Sequence, residues 1–483
     1  MKTLTPDVAV IGAGTAGLAA YRAAKAAGAS ALLIEGGAHG TTCARVGCMP
    51  SKLLIAAAEA AHSARHTAPF GVHVDGAVRI DGREVMDRVK RERDRFVGFV
   101  VKGVLNIPTE DRIEAFAKFT APMELLVGED TIVKPGRIVI ATGSAPAVPP
   151  PWRALGDRLI VNDDVFAWDD LPERVAVFGP GVIGLELGQA LHRLGVKVRL
   201  FGMGGKVGPL SDEAVIRSAI GIFGAEFPFS PDIKGSDIRR EGDEVVVTWT
   251  EAATGETHTE RFDYLLAATG RRPNLGKLGL EHSGLELDKQ GVPVFDPATL
   301  QCGTHPVFIA GDVNNIVPLL HEAADEGKTA GHNAAVFPDV VAGLRRAPIS
   351  VVFSEPQIAM VGKRRGELED GCYVTGEVDF ADQGRSRVML KNAGLMHVYA
   401  DVRDGRFLGA EWLGPRAENI AHLLAWAVQQ RLTVAQMLDM PFYHPVVEEG
   451  LRTALRDAAA HLAKLGAAER ECLSCEDKAS DAN

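Results

Sequence analysis

Positive charge is in deficit in this 483-residue sequence, where 52 lysines and arginines stand against 63 aspartates and glutamates, giving a formal net charge of −11. Without a basic surplus the chain cannot neutralise a phosphate backbone, so we expect no nucleic-acid partner. Long apolar runs are also lacking, since none approaches the roughly 20 residues that a membrane-spanning helix requires. No apolar stretch precedes the strand-like sequence that begins at Asp7, so no signal peptide is predicted. We therefore expect a cytoplasmic protein with no membrane partner.

Cysteine is scarce as well, because six cysteines in a chain of this length do not make the dense disulfide framework of a small secreted domain. In a reducing compartment a closely spaced pair is more often catalytic, redox-active or metal-binding. Two close pairs are present, Cys43 with Cys48 and Cys472 with Cys475. Zinc would need two further ligands beside the first pair, and the sequence offers none there, so we predict no metal site.

One strand–turn–helix–strand pattern occurs twice. Residues 7–35 give an apolar strand (DVAVIG), a glycine turn, an alanine-rich helix and a second strand (ALLIE), and residues 174–201 repeat this order. Each is a βαβ unit of the length found in dinucleotide-binding folds. Alternating strands and helices predict parallel sheets buried on both faces. We therefore predict an α/β fold with two Rossmann-like dinucleotide-binding domains.

The rest of the chain predicts a third domain of a different kind. Apolar strands recur from residue 349 onward, and helical patterns cover about 417–430 and 445–465. Strands followed by helices are typical of an α+β domain. The last 18 residues are small and polar without periodicity, which predicts a flexible tail.

The first glycine motif is Gly12-x-Gly14-x-x-Gly17, followed by Glu35 at the end of the next strand. Gly12 permits a tight turn, Gly14 lets the backbone approach a pyrophosphate, and Gly17 lets the helix pack closely on the strand. The helix N-terminus supplies N–H groups for the phosphates, and the carboxylate of Glu35 can accept a hydrogen bond from a ribose hydroxyl. This motif predicts a dinucleotide site.

The second motif is Gly179-x-Gly181-x-x-Gly184, in the same strand–helix context. Two such units imply two dinucleotides, or one dinucleotide and a donor that meets it. Where the first unit has Glu35, the second has Gly202, so the usual acid is missing.

The sequence Cys43-Ala-Arg-Val-Gly-Cys48 lies just before a helical segment that begins around Ser51. Two cysteines at this spacing can close a small ring, and a helix N-terminus lowers thiol pKa and favours the reactive thiolate. Near the C-terminus, His444 and Glu449 lie five residues apart across a predicted helix start. A carboxylate hydrogen-bonded to imidazole fixes its tautomer and raises its basicity, as a general base requires.

These motifs, taken in order, resemble the glutathione reductase/dihydrolipoamide dehydrogenase family. GTTCARVGCMPSK is similar to the family's redox signature GGTCxNxGCxPSK, and the later segments IGLELG, ATGRRPN, AGD, FSEPQIAMVG and His-Pro follow in the family's order from about residue 7 to 465. The resemblance implies FAD and NAD as cofactors. It also implies a homodimer, in which the C-terminal domain is the dimerisation domain.

The resemblance further implies residue roles. Cys43 matches the thiol that attacks the substrate disulfide, and Cys48 matches the thiol beside the flavin. His444 and Glu449 match a base and its orienting acid, which in the family reach the active site from the other subunit. Lys52 and Glu186 match a lysine–glutamate pair near the flavin. The further cofactor contacts that it implies are Ala117, through its backbone, and Thr142, Gly143, Gly270, Gly311, Asp312, Leu319 and His321.

The expected domain boundaries follow from the same order of motifs. They are a first FAD-binding segment at 1–148, an NAD-binding domain at 149–272, a second FAD/central segment at 273–346, a dimerisation domain at 347–465 and a flexible tail at 466–483.

Within the family, the segments IGLELG, HPVVEE and LHEAADEG most resemble dihydrolipoamide dehydrogenase, which acts on a small dithiol or on a lipoyl-carrying protein. Glutathione reductases carry arginines where this chain has Met203 and Pro209, and mercuric reductases carry adjacent C-terminal cysteines, so both are weaker alternatives. Arg45 and Val446 depart from the usual asparagine and threonine, which leaves the substrate less certain than the reaction class. A flavin-binding scaffold without turnover is the alternative from another class, and the intact cysteine, histidine and glutamate positions argue against it.

The preference between NAD and NADP rests on Gly202. Because glycine has no carboxylate, the usual contact to the ribose 2′-hydroxyl is missing. No arginine follows nearby in the sequence to bind a 2′-phosphate. Lys206 is a single ammonium, which holds phosphate less well than a bidentate guanidinium. We therefore expect NAD, and expect Gly202→Glu to sharpen that preference.

Overall fold

The computed structural model describes residues 2–465. The predicted flexible tail at 466–483, with Cys472 and Cys475, lies outside the described residues. Within the described chain, no helix is both long enough and apolar enough to span a membrane.

The helices are α1 (Thr15–Ala26), α2 (Thr42–Val46), α3 (Cys48–Arg65), α4 (Gly82–Leu105), α5 (Asn162–Val165), α6 (Val182–Arg193), α7 (Glu213–Glu226), α8 (Leu320–Val336), α9 (Gly384–Val388), α10 (Ala417–Gln429), α11 (Val434–Leu438) and α12 (Glu449–Lys464). The strands are β1 (Lys2–Leu4), β2 (Val8–Ile11), β3 (Ala31–Ile34), β4 (Arg112–Ile113), β5 (Ala117–Ala121), β6 (Glu124–Val127), β7 (Thr131–Val133), β8 (Arg137–Ile140), β9 (Ser144–Pro146), β10 (Leu159–Ile160), β11 (Arg174–Phe178), β12 (Lys197–Phe201), β13 (Phe229–Ser230), β14 (Ile233–Glu241), β15 (Glu244–Glu251), β16 (Thr257–Phe262), β17 (Tyr264–Ala267), β18 (Arg271–Pro273), β19 (Val307–Ile309), β20 (Ile349–Val352), β21 (Gln357–Gly362), β22 (Tyr373–Asp379), β23 (Leu395–Asp401) and β24 (Phe407–Gly414).

The first sheet is parallel and has the order β19-β8-β2-β3-β4. Its central strands read VAVI and ALLI, and every residue in them is buried, as expected for a sheet covered on both faces. The β1-β7-β6-β5 sheet shares an apolar core with it. Because β19 comes from residues 307–309, the first unit is completed by a segment far along the chain.

The second sheet is also parallel, with the order β10-β17-β11-β12-β13. A three-stranded antiparallel sheet, β14-β15-β16, covers it and buries Trp249 against Phe201. The two sheets and the helices beside them form the second Rossmann-like unit.

The C-terminal domain contains an antiparallel sheet in the order β20-β21-β24-β23-β22. The helices α10 and α12 pack their apolar faces on it, burying side chains such as Ile420 and Leu455. The architecture confirms the predicted fold class: α/β, with two Rossmann-like units and a C-terminal α+β domain.

The last helix begins at Glu449 and not near residue 445 as predicted. The Glu449 carboxylate accepts a hydrogen bond from the backbone N–H of Val446 at 3.3 Å and also contacts His444. These contacts hold residues 444–448 as a turn ahead of the helix.

Candidate redox site

The first glycine turn joins β2 to α1. Gly12 has φ +110°, and a Cβ on it would lie 2.3 Å from the carbonyl oxygen of Ala141. A Cβ on Gly17 would lie 1.8 Å from the carbonyl oxygen of Gly12. A Cβ on Gly14 would have no described heavy atom within 4 Å. Two glycines are therefore required by close packing, whereas Gly14 faces open space at the N-terminus of α1, where a pyrophosphate fits.

The second glycine turn, between β11 and α6, has the same geometry. Gly179 has φ +108° with its Cβ position 2.3 Å from the carbonyl oxygen of Ala268, and that of Gly184 lies 1.9 Å from the carbonyl oxygen of Gly179. Gly181 again has open space, with no described heavy atom within 4 Å of its Cβ position. Both turns therefore leave open space at a helix N-terminus, where the phosphates of a dinucleotide fit.

Glu35 lies at the end of β3 beside the first turn. Its two carboxylate oxygens accept hydrogen bonds from the backbone N–H groups of Ala13 and Gly37, each at 2.7 Å. The carboxylate is thereby fixed next to the glycine turn, at the distance along the chain where a ribose-binding acid is expected.

The two cysteines lie on successive helices. Cys43 is in α2, and Cys48 is the first residue of α3, where the helix N-terminus favours an anion. Both are free thiols. A hydrogen bond from Cys43, together with the nearby ammonium of Lys52, lowers the pKa of Cys48 to about 7 against the opposing effect of burial. The same hydrogen bond and burial raise the pKa of Cys43. Both shifts favour Cys48 over Cys43 as the thiolate of the pair.

A buried carboxylate supports the cysteine helix from the second unit. Glu186 on α6 is almost fully buried and accepts hydrogen bonds from Ser51 Oγ at 2.8 Å and Lys52 Nζ at 2.7 Å. The backbone N–H of Phe353 donates to its other oxygen at 3.0 Å, and Lys52 Nζ lies 4.4 Å from the Phe353 ring centroid. One carboxylate thus joins all three domains around the lysine beside Cys48.

A single cavity of about 2320 Å³ connects these features. This is larger than the few hundred to about 1,000 Å³ of an ordinary ligand pocket, as two dinucleotides would require. The predicted site residues that line it are Gly14, Cys43, Cys48, Lys52, Gly143, Gly179, Gly181, Glu186, Gly270, Gly311, Asp312 and Leu319.

Other predicted residues lie around this cavity and do not line it. Gly12, Gly17 and Gly184 pack against neighbouring backbone within the two turns. Ala117 is buried on β5, and His321 is an exposed residue of the first turn of α8. Within residues 2–465, neither of these two side chains contributes to the cavity wall.

Two polar side chains at this cavity are suited to a flavin chain: Asp312 lines it, and Thr142 lies in the chain between the lining residues Ala141 and Gly143. Thr142 Oγ1 is buried and has no hydrogen-bond partner among the described residues. Asp312, which follows Gly311 (φ +79°), accepts a hydrogen bond from Ser144 Oγ at 2.7 Å. An orphaned hydroxyl next to the cavity wall and a carboxylate on it are groups that a polyhydroxyl ligand can satisfy.

Two residues that the sequence analysis did not single out also support the site. Arg271 donates to Ser144 Oγ at 2.8 Å and to the Ser144 carbonyl oxygen at 2.7 Å. Asn162 donates to the carbonyl oxygen of Val46, between the cysteines, at 2.7 Å. Arg271 belongs to the ATGRRPN motif, so the sequence could have identified it. Asn162 belongs to no motif and is recognised only by its contact with Val46.

His444 and Glu449 form a pair away from the cavity of their own chain. His444 Nδ1 lies 3.0 Å from Glu449 Oε2, and Arg452 donates to Glu449 Oε1 at 2.7 Å. Burial opposes the shift, but the N–H of Val446 and the ring of His444 hold the pKa of Glu449 below its usual value. The His444 side chain is 80% exposed. Neither His444 nor Glu449 lines the cavity formed by the described residues of its own chain.

Two family models match the chain. Pyridine nucleotide-disulphide oxidoreductase matches residues 6–327, and the dimerisation domain of the same family matches residues 349–455. The chain belongs to the pyridine nucleotide-disulphide oxidoreductase family. It is therefore a flavin-dependent disulfide oxidoreductase, and the match to the dimerisation domain supports a homodimer.

Curated relatives of this oxidoreductase have more than one name. A dihydrolipoyl dehydrogenase of Haloferax volcanii is 31% identical over 94% of this chain and 96% of its own length. A mercuric reductase of Shigella flexneri is 32% identical over 92% of this chain and 80% of its own length. A dihydrolipoyl dehydrogenase of Geobacillus stearothermophilus is 30% identical over 92% of this chain and 94% of its own length.

Solved structures show the same fold. LpdA from Mycobacterium tuberculosis matches with a TM-score of 0.80 at 22% identity, covering 94% of this chain and 99% of that one. The HOCl-induced flavoprotein disulfide reductase RclA from Escherichia coli matches with a TM-score of 0.78 at 22% identity, covering 93% and 99%.

The cofactors of the family are FAD and a nicotinamide dinucleotide, and this oxidoreductase uses both. The residues present fit these groups, because Gly14 and Gly181 leave open space at two helix N-termini and Thr142 has a buried hydroxyl without a partner in the described chain.

Proposed function

We propose that this oxidoreductase is an FAD-dependent dihydrolipoyl dehydrogenase that transfers electrons between NAD(H) and a dithiol through Cys43 and Cys48. The observation that carries the proposal is the acidified thiol of Cys48, with Cys43 donating to it and Lys52 beside it, on the wall of a cavity that also reaches both glycine turns. Thiolate at neutral pH is the form that performs disulfide exchange.

The two cysteines have different roles in this proposal. Cys43 forms and breaks the mixed disulfide with the substrate sulfur. Cys48, at the N-terminus of α3, holds the negative charge beside the flavin. Bound FAD supplies a two-electron relay between the nicotinamide and the cysteine pair. Lys52 stabilises the charge on Cys48, and Glu186 fixes the position of Lys52 with a 2.7 Å ion pair.

His444 is the proposed base, and Glu449 orients it. A dithiol must lose a proton as it forms a mixed disulfide with Cys43, and imidazole accepts and returns that proton near neutral pH. The pair is exposed and outside its own cavity, which supports a role in the partner subunit's site.

The remaining contacts are proposed by position. Gly12, Gly14, Gly17, Glu35, Ala117, Thr142, Gly143, Gly311, Asp312, Leu319 and His321 belong to the FAD site, and Gly179, Gly181, Gly184 and Gly270 to the NAD site. The domain boundaries at 148/149, 272/273 and 346/347 are part of the same proposal, as are a cytoplasmic location and a lipoyl-carrying protein as physiological substrate.

A substrate panel tests the proposal. Purified holoenzyme is assayed for oxidation of dihydrolipoamide by NAD. It is also assayed for reduction of glutathione disulfide and of mercuric ion, in each case with NADH and with NADPH as the reductant. We expect the highest kcat/KM for dihydrolipoamide with NAD. The mercuric reductase relative makes mercuric ion the main competitor, and a kcat/KM more than tenfold higher for that ion would overturn the proposed substrate.

Single cysteine variants test the assignment of roles. Cys48→Ser should abolish the long-wavelength charge-transfer band and disulfide reduction while FAD stays bound and reducible by NADH. Cys43→Ser should abolish turnover but leave a stable thiolate and its band. Reversed phenotypes would mean that the two roles are exchanged.

A further inference from the structure

The segment at 202–212 connects the second glycine turn to the dimerisation domain. It follows β12, and Gly202, Met203 and Lys206 line the cavity. The backbone N–H of Gly208 donates to the carbonyl oxygen of Pro180, inside the glycine turn, at 2.7 Å. Any displacement of the segment is therefore transmitted to the turn that faces the nucleotide.

The far end of this segment is anchored by a buried carboxylate from the other domain. Glu411 on β24 is fully buried. It accepts hydrogen bonds from Ser211 Oγ at 2.7 Å and from the backbone N–H of Asp212 at 3.1 Å. The backbone N–H groups of Ser211 and Arg365 also donate to it. A carboxylate with this many donors is a strong anchor.

Beside this anchor, His397 on β23 lies between two carboxylates. Its Nδ1 is 2.7 Å from Asp212 Oδ2, and its Nε2 is 2.8 Å from Glu377 Oε2. An ionised carboxylate only accepts hydrogen bonds, and neutral imidazole has one N–H. Both contacts are hydrogen bonds only when the ring is an imidazolium. Asp212 also caps α7 by accepting from Ala214 N at 2.9 Å.

We propose that His397 is a positioning residue for the nicotinamide nucleotide: as an imidazolium it ties the 202–212 segment to the dimerisation domain, and the affinity for the nucleotide falls when it loses its proton. The inference deepens the proposed function, because it assumes that the second glycine turn binds NAD(H).

The charges around His397 set the direction of the pH effect. Burial lowers the pKa of His397, but the hydrogen bonds and charges of Asp212 and Glu377 outweigh it, so the pKa is raised. Despite burial, the pKa of Asp212 is lowered to about 2, mainly by His397, so its carboxylate stays ionised. The other titratable or charged groups around this contact are Tyr399, Glu411, Arg365, Tyr373 and Asp370.

The stabilisation is therefore present at low pH. A histidine whose pKa is raised in the folded state contributes its full stabilisation when the pH is below its ordinary pKa, near 6.5. That stabilisation is lost as the pH rises through the raised pKa. The contact between His397 and Asp212 weakens across that alkaline window, and the segment is then held to the dimerisation domain by fewer contacts, those of Glu411, Tyr399 and Gly366.

The test measures KM and kcat for NADH against pH in the holoenzyme, with ferricyanide as electron acceptor so that no dithiol is needed. We expect KM for NADH to rise about fivefold or more through the His397 titration while kcat stays nearly constant. His397→Gln should have a high KM with no pH dependence. His282→Gln, at an exposed histidine outside both the 202–212 segment and the dimerisation domain, is the matched control and should keep the wild-type profile.

Glu377→Gln gives a second, milder variant, because this carboxylate is about half exposed. Loss of its charge should move the midpoint of the KM profile down by about one pH unit. A general loss of structure would change KM without moving a midpoint. A flat wild-type KM profile, or a midpoint unchanged in Glu377→Gln, overturns the role of His397. Failure of dihydrolipoamide as a substrate, with the pH profile for NADH intact, would overturn only the proposed substrate.

Discussion

At residue 48 two opposite charges compete over one thiol. The ammonium of Lys52 lowers the pKa of Cys48, and the carboxylate of Glu186, which holds Lys52, raises it. The hydrogen bond from Cys43 has the largest effect, and it lowers the pKa of Cys48 to about 7. The thiolate is therefore present above this pH and is lost as the pH falls through it.

This balance predicts opposite effects for two neighbouring substitutions. Lys52→Met should move the midpoint of the charge-transfer absorbance, near pH 7 in the reduced wild type, upward by about one unit, and Glu186→Gln should move it downward. A spectrophotometric pH titration of the two-electron-reduced holoenzyme measures both. Shifts in the same direction would show that the midpoint reports on packing and not on these charges.

Gly202 behaves differently from the sequence-based expectation. A Cβ at this position would lie 2.5 Å from the carbonyl oxygen of Pro231 and 2.9 Å from Pro180 Cγ. The end of β12 thus has no room for a side chain, and Gly202→Glu would displace backbone before it could reach a ribose. The lack of an acid follows from this close approach to Pro231.

Gly202→Ala should therefore destabilise the second unit by about 1–3 kcal/mol, because overpacking against backbone forces a shift. KM for NADH should rise with it. Gly221→Ala, in the middle of α7 with no described heavy atom within 4 Å of its Cβ position, is the control and should be neutral or slightly stabilising. Measurements of thermal unfolding and of KM for NADH in both variants test this prediction. An unchanged Gly202→Ala protein would contradict the steric account.

Among the elements, the contact between α1 and α8 positions the first glycine turn. A Cβ on Gly327 would lie 2.2 Å from the carbonyl oxygen of Ala16, and one on Gly331 would lie 2.1 Å from that of Ala20. Only glycine allows α8 to approach the backbone of α1 this closely. The helix that begins at the first phosphate pocket is thereby fixed against the helix that follows Asp312.

Gly327→Ala should push these two helices apart and weaken FAD binding more than it weakens the second unit. We expect a lower ratio of FAD absorbance to protein absorbance after purification and faster FAD loss on dilution. Gly224→Ala on α7, whose Cβ position has open space, is the matched control and should retain wild-type FAD content. Full FAD retention in Gly327→Ala would show that α8 can shift without harm.

The sequence predicted the elements that have a clear apolar pattern. The strands around Val8–Ile11 and Arg174–Phe178 are short apolar runs bounded by glycine turns, and both sheets formed as expected. The helix predicted at about 417–430 formed as Ala417–Gln429, with one apolar face buried. These patterns are local, so they can be recognised without knowledge of the tertiary structure.

The elements that the sequence did not predict depend on partners distant in the chain. β14 reads IKGSDIRRE and is mostly exposed, so its apolar alternation is weak, and it is a strand because it pairs with β15 along its length. The contacts of Asn162 with Val46 and of His397 with Asp212 likewise join residues far apart in sequence. No local pattern encodes them.

For the whole molecule, the exposed apolar residues of the C-terminal domain are the relevant surface. Trp426 is 66% exposed and Tyr443, next to His444, is 79% exposed. Leu423 and Met440 of the same domain are exposed as well. Large exposed apolar side chains on a domain of the dimerisation family are typical of a face that a second subunit covers. These exposures support the proposal that His444 lies at or near the subunit boundary.

Subunit mixing tests whether His444 acts across that boundary. Homodimers of Cys43→Ser and of His444→Gln should both be nearly inactive with dihydrolipoamide. After they are unfolded together and refolded with FAD, half of the dimers should be mixed, and each mixed dimer pairs an intact Cys43 with an intact His444 at one of its two sites. We therefore expect about a quarter of wild-type activity, as random assembly of a two-fold dimer gives. If His444 served its own chain, each subunit would lack one group and the mixture would remain inactive. Mixing Cys43→Ser with Cys48→Ser is the negative control, because both thiols belong to one chain and no intact site can form.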